Sequence, residues 1–183
     1  MHQPLLTDAG IPMLMIQWPL MLCALVPVIL LETEVIRRRL TLPYQKVIPG
    51  VAKANVLSTA VAVPLAWLIM FAIELGAGFP VLSAAMKRDW PVENPLLKYL
   101  LHVLTAAWVG GSISGIAFAT AVLLVPTFFI SVFLECRSCR HSWSEVDRAG
   151  VNRSVWYANL ASYSLLFLAA CAWFGWAVRT HPS

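Results

Sequence analysis

Two groups of residues in this sequence have the types and spacing to do chemistry. The first is Cys136, Cys139 and His141, two thiols three residues apart with an imidazole two residues further on. Zinc and iron take such donors, but a closed zinc site needs four ligands, so a metal here would draw the fourth from a partner or a second copy. The expectation is no bound cofactor, with zinc or iron at Cys136, Cys139 and His141 as the alternative.

The second group is acidic and amidic: Glu32, Glu34, Asn55, Glu135 and Asn159. Ala54, Asn55 and Ser58 recur as Ala158, Asn159 and Ser162 at the same spacing, each set following an acidic residue, Glu32 or Glu34 in one case and Glu135 in the other. An amide facing a carboxyl can donate a hydrogen bond to it, so the spacing allows a polar cluster at the mouth of each of two helical hairpins. Asparagine is also favoured at helix starts. Capping is therefore the expected role of Asn55 and Asn159, and a substrate or ion site the alternative.

The elements that must position these residues follow from composition. With 60% hydrophobic and 12% charged residues and a mean hydropathy of +0.75, the 183-residue chain has too little polar surface to cover a soluble globule. Its apolar residues gather into four blocks, about 11–31, 51–73, 108–134 and 155–178. Each is long enough to cross about 30 Å of hydrocarbon as a helix, where backbone amides find no water. The fold class expected is an all-α integral membrane protein, four transmembrane helices in two hairpins with a possible tandem repeat. It forms a single membrane domain over 1–183: a first hairpin over 11–75, an outer segment over 76–107 and a second hairpin over 108–178. Pro19, Pro27, Pro64 and Pro126 fall inside spans and predict kinks.

Lysine and arginine set the orientation, because basic residues in short loops stay in the cytoplasm. Nine of them, from Arg37 to Lys53 and from Arg137 to Arg153, flank the two hairpin turns, against four elsewhere (Lys87, Arg88, Lys98 and Arg179). This predicts cytoplasmic hairpin loops, with the N-terminus and C-terminus outside, most simply in a bacterial inner membrane. Trp143 and Trp156 are expected at the inner boundary. Leu96 to Ala107 has helical apolar spacing and reads as a short interfacial helix on the outer surface, bent at Gly110 and Gly111 before the third span.

Small residues every fourth position, Ala54, Ser58, Ala62 and Ala66 on the second span and Gly111, Gly115 and Ala119 on the third, predict faces that pack against other helices. Histidines on facing spans, as haem would need, are lacking. Enzymes that make disulfides and reduce quinone also use four helices, but need a thiol pair on the oxidising side, and the pair here is expected to face the cytoplasm. The expected role is a non-catalytic membrane subunit or assembly factor. The alternatives are a small transporter or channel formed by repeated hairpins, and a thiol or metal oxidoreductase using Cys136 and Cys139. The expected partners are the lipid bilayer with other membrane subunits or further copies of the chain; no nucleic acid is expected.

Overall fold

The computed structural model describes residues 11–78, 80–81, 83, 100, 102–109 and 113–180. Four helices dominate: α1 Met13–Leu40, α2 Tyr44–Ile73, α3 Ile113–Ser142 and α4 Arg148–Thr180. All four are long and apolar enough to cross a membrane. Of the expected interfacial helix, residues 96–99 and 101, with Lys98, lie outside the described residues, as does the expected bend at Gly110 and Gly111; residues 102–104 are helical and 105–107 form a turn.

The helices overrun the apolar blocks by two turns at one end and hardly at the other. α1 and α3 continue nine and eight residues beyond Leu31 and Leu134, and α2 and α4 begin seven residues before Val51 and Val155. Among the described residues this end carries every arginine but Arg179. Hydropathy marks where a helix meets lipid, whereas Glu, Lys and Arg propagate a helix well, so the backbone stays helical through the polar margin. With 28 to 33 residues each, the rods are about 42–50 Å long, against about 30 Å of hydrocarbon.

The helices form a ring. α1 packs on α2 and α4, α3 packs on α2 and α4, and α1 barely meets α3 across the middle. Close approach is possible because the inward faces carry small side chains: Ala54, Ser58, Ala62 and Ala66 of α2, Ala119 of α3 and Ala158 and Ser162 of α4 are all buried. Large apolar residues such as Val26, Leu30, Phe129, Phe133 and Leu168 point outward, where a membrane would supply hydrocarbon.

At the basic end, α1 stops at Thr41, whose left-handed φ of 53° breaks the helix before Pro43 leads into α2. Trp143 follows α3 and is 1% exposed, its Nε1–H donating to the Lys46 carbonyl at 3.2 Å. At the basic end it is packed inside the bundle, because Gly50 has no side chain to hold it off: a Cβ there would lie 2.7 Å from the indole. Asp147 starts α4, its carboxylate accepting from the Gly150 N–H at 2.8 Å. Lys46 pairs with Glu145 beside this turn, which holds the Glu145 carboxyl below its usual range.

At the opposite end the Ala107 carbonyl accepts from the Met13 N–H at 3.0 Å and from the Trp67 indole N–H at 2.9 Å. Trp67 also stacks on Phe71, with ring centroids 5.2 Å apart. A two-residue antiparallel pairing of Ile11–Pro12 with Trp108–Val109 completes the tie.

Candidate buried carboxyl centre

Glu32 lies on α1 five residues before Arg37, and Glu135 lies on α3 five residues before Arg140. Both turn into the ring, with exposures of 1% and 3%. The amide Nδ2 of Asn55 on α2 donates to Glu32 Oε2 at 2.7 Å, and that of Asn159 on α4 donates to Glu135 Oε2 at 2.7 Å. The remaining carboxyl oxygens are taken crosswise. Ser162 Oγ on α4 donates to Glu32 Oε1 at 2.6 Å, and Ser58 Oγ on α2 donates to Glu135 Oε1 at 2.6 Å.

Each of the four contacts around the ring, α1 to α2, α2 to α3, α3 to α4 and α4 to α1, is thus closed by one hydrogen bond to a carboxyl oxygen. The spacing explains how: Asn and Ser three residues apart share one helix face, so each of α2 and α4 offers an amide to one acid and a hydroxyl to the other. Asn55 and Asn159 sit eleven residues inside their helices and also donate to the carbonyls of Val51 and Val155 at 3.2 Å. The expected capping role is therefore replaced by a cross-helix one, because both helices begin two turns earlier than their apolar blocks.

The two carboxyls lie within interaction range of each other. Among the described residues neither has a Lys, Arg or His nitrogen within 4.0 Å. The side-chain oxygen of Asn159 is buried with no partner among those residues. Beside the centre lies a cavity of about 10 Å³, lined by Asn55, Ser58, Glu135 and Tyr163 together with Met21 and Leu166. That is about the room one water molecule needs. Tyr163 and Ser131 join hydroxyls at 2.8 Å, buried beside it.

Glu34 is not part of this centre. Two residues nearer the helix end and so on another face of α1, it pairs with Arg37 at 2.9 Å, with Arg38, and accepts from the Tyr44 hydroxyl. Cys136 and Cys139 are buried in the apolar cluster that also holds Val132, Trp143 and Val155, while His141 is exposed. Among the described residues no three His, Cys, Asp or Glu side chains are gathered as metal ligands. Cys136, Cys139 and His141 thus do not converge, since an α-helix carries residues 136, 139 and 141 around its circumference rather than to one point. The crosswise donors Ser58 and Ser162 belong to the recurring triplets, and their spacing from the asparagines marks them as sharing a face with the site but does not name their partners. Tyr163 and Ser131 have no such signal.

Compared with protein-family models, curated proteins and solved structures, the chain matches none.

Proposed function

We propose that this chain is a small, non-enzymatic membrane transport protein built from two repeated helical hairpins, in which the Glu32 and Glu135 centre takes up one proton or small cation at a time. One observation carries the reading: two adjacent carboxyls are buried inside the bundle, and among the described residues neither has a cationic side chain within 4.0 Å. Removing an ionised carboxylate from water costs several kcal/mol even after relaxation, and a second like charge beside it adds repulsion. Positive charge from outside the chain relieves both. The adjoining cavity limits the species by size, since about 10 Å³ admits a proton carrier or a bare ion and no organic solute. Ionisable groups inside a membrane bundle commonly mark ion pathways.

The repeat is supported by matched geometry. The amide bonds are 2.7 Å in both halves, the crosswise hydroxyl bonds 2.6 Å in both, and the amide bonds to the preceding turn 3.2 Å in both. Small-residue faces would recommend the chain as an accessory subunit, but Ala54, Ser58, Ala62 and Ala66 are buried within it. We place the basic end in the cytoplasm of a bacterial inner membrane, on the distribution of Lys and Arg. Cys136 and Cys139 are too buried to report this by thiol labelling. Exposed Ser144 serves instead: a Ser144→Cys protein should react with an impermeant thiol reagent only after the membrane is opened.

Transport is tested by reconstituting the purified protein into liposomes under gradients of protons, Na⁺ or K⁺. One of these gradients should be dissipated by the wild type, and Glu32→Gln and Glu135→Gln proteins should stay assembled while losing the flux. A wild type that moves none of the three and copurifies with a stable heteromeric partner overturns the reading in favour of an accessory subunit.

A further inference from the structure

The outer surface of α4 near the basic end carries two adjoining hollows. One, of about 310 Å³, is lined by Arg153, Trp156, Tyr157 and Leu160. The other, of about 500 Å³, runs between α3 and α4 past Phe128, Phe129, Phe167 and Leu168, and Leu160 lines both. The first is polar at one end: Arg153 lies on its wall, and the Arg39 guanidinium sits 3.6 Å over the Tyr157 ring. Among the described residues neither arginine has a carboxylate within 4.0 Å, whereas Arg37 and Arg38 are paired with Glu34 and Lys46 with Glu145. The second hollow is almost wholly hydrocarbon. Its floor is fixed by Phe128, whose ring meets Trp156 at 5.6 Å and Tyr163 at 5.3 Å.

We propose that this surface is a binding site for one anionic phospholipid, with the phosphate between Arg153 and Arg39 and an acyl chain along the α3/α4 groove. Charge and depth both fit. The cationic pair occupies the level at which Trp and Tyr rings favour the boundary, and two unneutralised guanidiniums suit an anionic headgroup as planar, bidentate donors. From Leu160 to Leu168 is eight residues, about 12 Å of helix, within the roughly 15 Å of hydrocarbon that one leaflet provides. A soluble anion would use the arginines and leave the groove empty; a zwitterionic lipid would fill the groove but gain little from the arginines. Only the anionic lipid uses both.

Native mass spectrometry of the purified protein, released from micelles containing phosphatidylglycerol or phosphatidylcholine of identical chains, tests this. Phosphatidylglycerol should be retained preferentially, by about 30-fold for two basic contacts. Arg39→Gln with Arg153→Gln, both at exposed positions, should bring the two lipids to near equality, and Leu160→Trp should weaken both by filling the junction of the hollows. The inference is overturned if the wild type retains both lipids equally, if the double variant keeps its preference, or if glycerol phosphate displaces the lipid as well as phosphatidylglycerol does.

Discussion

The two halves of the carboxyl centre make the same bonds in different surroundings. Glu32 and Glu135 each accept one amide and one hydroxyl at matching distances. Yet the small cavity touches Glu135, the Tyr163–Ser131 hydroxyl pair lies beside it, and Trp143 closes the turn that follows its helix. On the Glu32 side the next turn of α1 is instead tied up by Glu34 with Arg37, Arg38 and Tyr44. Identical bonding with unequal surroundings separates two roles. The shared hydrogen bonds hold the ring of helices, and on the transport function proposed above the cavity beside Glu135 would make it the acid that an entering ion meets first.

The largest expected effect breaks the shared part. Glu135→Ala leaves one N–H of Asn159 without an acceptor and Glu32→Ala one N–H of Asn55, while Ser58 and Ser162 keep the Asn55 and Asn159 carbonyls in reach at 3.1 and 3.2 Å. At about 1–3 kcal/mol for the donor left unpaired, with the cavity left by the truncated side chain in addition, either substitution should cost about 2–5 kcal/mol. Thermal unfolding in detergent should show similar losses for the two; a loss confined to one would mean that the halves do not share the structural load.

Next in size is a probe of the unequal surroundings. Gly50→Ala drives a methyl to within 2.7 Å of Trp143, whereas a Cβ at Gly150 meets Asp147 Oδ2 at an acceptable 3.4 Å. The first should cost about 1–3 kcal/mol by overpacking, and Gly150→Ala should lie close to neutral in the same unfolding assay. Smaller still, Tyr163→Phe removes the partner of Ser131 and should cost about 1 kcal/mol. Because Tyr163 lines the cavity beside Glu135, the variant should also alter the concentration at which ions half-saturate transport, while an equally mild change at Tyr44, on the other side, should not. Glu145→Gln, at an exposed ion pair, should leave the unfolding temperature unchanged.

Much of this is legible in the amino-acid sequence. Composition and four apolar blocks specify four membrane-length helices, because a lipid solvent demands long apolar runs and internal backbone bonding. The recurring Ala-Asn-Ser spacing singles out Asn55 and Asn159 together with their acids. The partners were not legible. That Ser162 reaches Glu32 across 130 residues, and Ser58 reaches Glu135 across 77, depends on the order of helices around the ring, which no local pattern encodes. Glu34 has the same composition as Glu32 and lies two positions away, about 200° round the helix, and only packing decides which of them turns inward. Trp143 was similarly ambiguous, since its burial depends on the missing side chain of Gly50, almost a hundred residues earlier.

The central claim is that Glu32 and Glu135 bind positive charge supplied from outside the chain. Infrared difference spectroscopy of the purified protein, recorded as protons, Na⁺ and K⁺ are exchanged in turn over an immobilised film, reads carboxyl and carboxylate stretches directly. The account predicts bands that change with one of these exchanges, that lose part of their intensity in each of Glu32→Gln and Glu135→Gln, and that vanish in the double variant. A wild-type spectrum indifferent to all three ions, with a double variant as stable as the wild type, would contradict it and leave the centre as a set of hydrogen bonds that only holds the helices together.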